Sequence, residues 1–183
     1  MGRPREFDRA EALDAAMRVF WECGGYDLTS VGQLTEAMGI SSASLYAAFG
    51  SKRALYDEAV DLYAQRPATP LTLALTETTA HDFASRLLDA AIVDCTKRGQ
   101  PRGCLVNTDP LLSDRRDEGR AVVARRMGQA IDDGDLPEGT DIAALAEYLT
   151  VVINGLSTRA RDGATRAELR SVAATVMAGW PRG

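Results

Sequence analysis

Thr29-Ser-Val-Gly-Gln-Leu-Thr-Glu-Ala-Met-Gly39-Ile-Ser-Ser-Ala-Ser-Leu-Tyr-Ala-Ala-Phe49-Gly-Ser-Lys-Arg-Ala-Leu-Tyr56 is the stretch whose reading decides the fold. Ser30 followed three residues later by Gln33 is a capping box, in which each side chain satisfies a backbone N–H left over at a helix start. Val31, Leu34 and Met38 then recur at helical spacing, and Gly39 can take the left-handed conformation that ends the helix. Ser41 and Ser42 cap a second short helix with Leu45 and Phe49 facing inward. Two short helices joined by so tight a turn form the geometry that lays the second helix in a DNA major groove.

The outward face of that second helix offers Ser42, Ala43 and Ser44, small enough for the backbone to approach base edges. Their hydroxyls suit phosphates or bases, and the Ala43 methyl suits a thymine methyl. Tyr46 reads either as a phosphate contact or as core, whereas Phe49 reads as core. Ser30 and Ser41 sit at helix starts facing the same ligand. Lys52 stands at the N-terminus of the next helix, where its charge and the free N–H groups favour an anion.

Outward from this motif the chain remains helical in period, with no strand pattern, so the fold class is all-α. Asp8 with Glu11 predicts a capped first helix carrying Leu13, Ala16, Met17 and Phe20, closed by Gly24-Gly25. Gly50-Ser51 starts a fourth helix, Lys52 to about Arg66. Pro67-Ala68-Thr69-Pro70 then breaks the chain and marks a boundary between a head, residues 1–66, and a second domain, residues 67–183. There, helices are predicted from Asp82 to about Lys97, with Phe83, Leu87, Leu88 and Ile92, and from Arg115 to Asp133. The intervening Cys104 to Leu112 is ambiguous, with helix the better reading. Ile142, Leu145, Leu149, Val152 and Leu156 step by alternating threes and fours, a seam suited to helix–helix packing. Thr165 and Glu168 cap a last helix with Leu169, Val172, Val176 and Trp180.

Composition bounds the remaining options. Of 183 residues, 45% are hydrophobic and 26% charged, which suits a folded, soluble chain. The absence of a long apolar run argues against a membrane partner and for a cytoplasmic address. The three cysteines (Cys23, Cys95, Cys104) have no metal-ligand spacing and His81 is the single histidine, so neither a metal site nor a cofactor is expected. No nucleophile–base pair and no phosphate-cradling loop suggests an enzyme. The net charge of −5 means that a DNA contact must rest on local groups rather than on a basic surface.

The run Leu45-Tyr46-Ala47-Ala48-Phe49-Gly50-Ser51-Lys52-Arg53-Ala54-Leu55-Tyr56, preceded by Ala37-Met38-Gly39-Ile40-Ser41, closely resembles the TetR family of bacterial repressors. The resemblance covers about residues 8 to 63. Gly2-Arg3-Pro4-Arg5 is also common in that family, as a basic arm in which Arg3 can enter the minor groove. Ala48 stands where many members have a histidine, and Gly24-Gly25 is one residue longer than the usual connection. The resemblance implies a homodimer on a double-stranded DNA operator, paired through its last two helices. Ile142, Leu145, Leu149, Val152, Leu156, Val172 and Val176 are then the dimerisation candidates. It also implies a small-molecule effector pocket in the second domain, for which Phe83, Leu87, Leu105, Leu149 and Ile153 are the candidates. The stretch from Cys104 to Pro137 is shorter than in relatives with a similar Arg-Gly-Cys-Leu-Val-Asn run.

Three features stay open between two readings. Cys104 follows Arg102-Gly103 and is either a redox- or electrophile-sensing thiol or a small buried hydrophobe. His81 lines a pocket or merely starts a helix. Arg115, Arg116, Arg120, Arg125 and Arg126 form a basic run, but the neighbouring Asp114, Asp117 and Glu118 favour a solvated helix with intrahelical pairs.

Overall fold

Asp8 starts α1 (Arg9–Cys23) by accepting hydrogen bonds from the N–H groups of Ala10 and Glu11, and Gly24 ends it in the left-handed region at φ 99°. In the computed structural model, which describes residues 7–181, the chain divides into two compact units, Met1–Pro67 and Ala68–Gly183. Ten α-helices and no strand occur among the described residues.

The first unit holds α1, α2 (Val31–Met38), α3 (Ser42–Phe49) and α4 (Lys52–Ala64), with α1 packed on both α2 and α4. Its core is aromatic. Phe20 meets Tyr56 edge-on at 5.0 Å, Trp21 meets Tyr63 at 5.0 Å, and Tyr26 meets Tyr56 at 5.2 Å. Each such pair adds about 0.5–1.5 kcal/mol beyond its buried area. Leu34, Leu45 and Leu55, one from each of α2, α3 and α4, are fully buried and lock the short helices onto this aromatic layer. On α1 the buried stripe is Ala12, Ala16, Met17, Phe20 and Trp21, so it is turned slightly from the predicted one, and Leu13 is half-buried.

The second unit contains α5 (Pro70–Ala74), α6 (Ala80–Cys95), α7 (Leu105–Thr108), α8 (Ser113–Asp132), α9 (Ile142–Arg161) and α10 (Arg166–Ala178), with a 3-10 turn at Pro110–Leu112. Helix α6 is central, packed against α5, α8, α9 and α10. Two core clusters flank it. One joins Phe83, Leu87, Val123, Met127, Leu145, Leu149 and Trp180, and the other joins Leu88, Ile92, Cys95, Leu156, Leu169 and Val176. Helix α6 begins at Ala80, two residues before the predicted start at Asp82, on the N-cap Thr79, and α5 rises within what reads as a plain break, with Thr69 as N-cap and Pro70 in its first turn.

Of the dimerisation candidates, Leu145, Leu149 and Leu156 on α9 and Val176 on α10 are buried in the core clusters of this one chain, whereas Val172 on α10 is about half exposed. Ile142 and Val152 are half-buried and packed on the same clusters. The large apolar residues left open on these helices are Tyr148, Val151 and Val172, each about half exposed.

Candidate nucleic-acid interface

The turn between α2 and α3 is built by Gly39 at φ 65°, whose N–H donates to the Glu36 and Thr35 carbonyls. Ser30 and Gln33 form the complete capping box at the start of α2: the Ser30 N–H donates to Gln33 Oε1 at 2.8 Å and the Gln33 N–H to Ser30 Oγ at 3.2 Å. Gln33 Nε2 also donates to Cys23 Sγ at 3.5 Å, tying α2 back to the end of α1. Thr29 anchors the preceding loop from inside, its buried hydroxyl donating to the Gly25 carbonyl at 2.7 Å.

Helix α3 starts on the Ser41 hydroxyl, which accepts from the Ser44 N–H at 3.1 Å and lies 2.9 Å from Ser44 Oγ. Leu45 and Phe49 face inward, while Ser42, Ala43, Tyr46 and Ala47 are exposed and Ser44 and Ala48 half-buried. Tyr46 is 47% exposed, which places it on the outer face rather than in the core. Of the eight residues proposed for DNA contact, Ser30 and Ser41 are exposed at two helix starts, Ser42, Ala43 and Tyr46 are exposed along α3, and Ser44 is half-buried there. No charged residue lies on α3, and its exposed residues are small or uncharged apart from the phenol of Tyr46.

Lys52 is placed differently from a freely projecting phosphate ligand. Its ammonium donates to the Tyr26 carbonyl at 2.6 Å and stands 4.1 Å over the Tyr26 ring, so it braces the loop between α1 and α2. This strut joins residues far apart in sequence and had no local signal. Arg53 beside it is exposed and bonded to Asp57 at 2.9 Å, and that carboxylate holds the guanidinium above its usual pKa. Arg3 lies outside the described residues.

In the second unit, Phe83, Leu87 and Leu149 are buried in one cluster with Ile153 packed against it, whereas Leu105 is buried on α7 against α9. Cys104 is half-buried and its backbone N–H donates to Ser157 Oγ at 2.9 Å. The charge of Arg102 is spent on the end of α9, where its guanidinium donates to the Ala160 carbonyl at 2.6 Å and to that of Ala164. His81 is exposed at the start of α6, 3.3 Å from the Asp82 carboxylate. The basic run on α8 is only partly a set of intrahelical pairs. Arg120 bonds Asp117 and Glu147, but Arg116 donates to the carbonyls of Val106 and Asp109, and Arg126 to those of Glu77 and Thr78.

Residues 12–70, spanning the α2–turn–α3 geometry just described, match the family described as bacterial regulatory proteins, tetR family. The chain is 34% identical to the HTH-type transcriptional repressor ComR of Escherichia coli, over 98% of this chain and 92% of that protein. The chain belongs to the TetR family. It is a DNA-binding transcriptional regulator, and its helix-turn-helix is the unit that meets DNA. A second relative, the HTH-type transcriptional repressor BdcR of Escherichia coli, is 30% identical over 97% of this chain and 90% of its own length. Among solved structures, a cysteine-substituted form of the TetR-family regulator CifR, complexed with 26-bp double-strand operator DNA, superposes with a TM-score of 0.90. It is 38% identical and covers 98% of this chain and 100% of its own.

Proposed function

We propose that the chain is a homodimeric transcriptional repressor that grips a palindromic operator and is released from it by a small-molecule effector bound in the second unit. The observation that carries the DNA half of this reading is the exposed, uncharged face of α3, opened by the Ser41 cap and flanked by Ser30 and Tyr46. Ser42, Ala43 and Ser44 bring the backbone close to base edges, while Ser30, Tyr46 and Lys52 meet phosphates. Arg3 adds a minor-groove contact. Two such heads read half-sites about 34–36 Å apart, one turn of DNA. Pairing falls to the outer faces of α9 and α10, where Tyr148, Val151 and Val172 are open. The effector acts by favouring the arrangement that cannot hold both half-sites, which is a coupling free energy between two sites.

The test is fluorescence anisotropy of the purified protein on its own upstream DNA against a random duplex of equal length, across a salt series. A clear preference that weakens steeply with salt is expected. Equal binding to both duplexes refutes the reading.

A second reading places the input at Cys104, a half-buried residue whose backbone is fastened to Ser157 on α9. Chemical change at the thiol would then act on α9 directly. Cys104→Ser separates the two: oxidant-driven release disappears under the thiol reading, and effector-driven release survives under the first.

A further inference from the structure

Helix α3 presents the face that meets bases, yet it is eight residues long, too short to be stable in water without its neighbours. The turn at Gly39 fixes where it begins, and the fully buried Leu45 pins its middle. Phe49, its last residue, is 4% exposed, so the seat of that ring sets the direction of the far end.

Arg9 covers the seat from another helix. Its guanidinium carbon stands 4.4 Å from the centroid of the Phe49 ring, within cation–π range. Its Nη2 donates to both carboxylate oxygens of Glu58, at 2.7 and 2.8 Å. One guanidinium thus ties the first residue of α1 to the last residue of α3 and the middle of α4. Lys52 and Arg53, the cations nearest to Phe49 in sequence, are turned to Tyr26 and Asp57 instead.

Local preference runs against a cation at position 9. A positive charge in the first turn opposes the partial positive charge of a helix start. Both partners of the ion pair are partly in solvent, where such a pair adds little to stability. A residue that breaks a local rule for so small a return marks a place where function makes a demand.

We propose that Arg9 is a positioning residue for sequence reading. Held by Glu58, it lies on the Phe49 ring and fixes the direction in which α3 presents Ser42, Ala43 and Tyr46. It supplies orientation rather than phosphate affinity, because the Glu58 carboxylate already matches its charge. Base edges must be met in register, whereas backbone contacts carry no sequence information. Loss of Arg9 therefore weakens specific binding more than non-specific binding.

The test uses the full chain, a duplex that the wild type selects from a random pool, and a scrambled duplex of equal length. Anisotropy titrations across a salt series give both affinities. Arg9→Met keeps most of the stem and removes the charge. It is expected to bind the selected duplex about ten-fold more weakly, and the scrambled one within about two-fold of wild type, with the log–log salt slope unchanged. Arg9→Lys keeps a cation for the ring and recovers part of the loss. Glu58→Gln, which frees the guanidinium, also lowers the ratio of the two affinities, and adding it to Arg9→Met lowers that ratio no further. Hydrogen exchange on the DNA-free protein is an independent readout. In Arg9→Met the amides of residues 46–50 exchange about three-fold or more faster, while those of α2 keep their wild-type rates. If Arg9→Met does not fold, Glu58→Gln carries the same comparisons. A salt slope lowered by about one, with equal loss on both duplexes, makes Arg9 a phosphate contact and overturns the proposal. Undiminished discrimination between the duplexes overturns it too, since the clasp is then a stabilising contact only. So does exchange that quickens equally across α2 and α3, which reduces Arg9 to a residue that keeps the unit folded.

Discussion

Gly99 and Gly103 offer a matched pair in which one backbone conformation occurs in two different surroundings. Their φ angles are 80° and 81°, so an alanine at either position meets the same left-handed strain, about 1–2 kcal/mol. Around Gly99 an added Cβ meets nothing within 4 Å. At Gly103 it would lie 2.5 Å from Arg161 Cγ, 2.9 Å from Arg161 Cδ and 3.1 Å from the Ser157 carbonyl oxygen. The arginine stem can swing away, but the Ser157 backbone is interior to α9 and cannot. Relief must come from lifting the Arg102–Cys104 loop, which strains the Cys104 N–H bond to Ser157 Oγ and the two Arg102 bonds to the end of α9. Overpacking of this kind costs about 1–3 kcal/mol on top of the shared strain. Gly103→Ala should therefore melt roughly 2–12 °C below Gly99→Ala, at about 2–4 °C per kcal/mol for a chain of this size. Differential scanning calorimetry of both variants at one protein concentration measures the gap. Melting temperatures within a degree or so of each other would refute the claim that close approach, rather than φ alone, reserves position 103 for glycine.

Val151→Asp should turn the dimer into a monomer in sedimentation velocity with its helical content intact, whereas Leu149→Ala should lose about 2–5 kcal/mol of stability to chemical denaturation. The reverse pattern would return the interface to the inner seam. Lys52→Met removes both the Tyr26 carbonyl bond and the ring contact, and should lose about 1–3 kcal/mol. If Lys52 also meets phosphate, the log–log salt slope of DNA binding falls by about one; an unchanged slope would make it a strut alone. The Thr165 backbone N–H and hydroxyl hold the Glu168 carboxyl below its ordinary value of 4.5. Its stabilising contribution is thus complete above that value and is lost as pH falls through the lower folded-state value. Glu168→Gln should flatten the acid limb of the melting-temperature profile, and an unaltered limb would dismiss this cap as a source of acid sensitivity.

The head was legible because its signals are local. Ser30 with Gln33, Gly39, and Ser41 each act within four residues of themselves, and all three appear where the sequence puts them. Helix α5 escaped notice because Pro67 and Pro70 read alike as breakers, although Pro70 follows the N-cap Thr69 and so begins a helix. The α9 seam shows a deeper limit. Periodicity reveals that Leu145, Leu149 and Leu156 share a buried side, but not whether their own chain or a copy does the burying, and here it is their own. Arg116, Arg126 and Lys52 were unreadable for a third reason. Their partners are backbone carbonyls, which carry no residue-type signature, and for Arg126 and Lys52 those carbonyls are also distant in sequence.

The two-sidedness of α9 has a consequence for divergence among related proteins in one cell. Its inner side is constrained by the core, while Tyr148 and Val151 on the outer side are about half exposed and belong to neither core cluster. For a chain that pairs through that outer side, partner choice can drift independently of stability. A bacterium holding many such regulators can then keep each one loyal to its own copies by small, mutually incompatible changes on one exposed strip of helix.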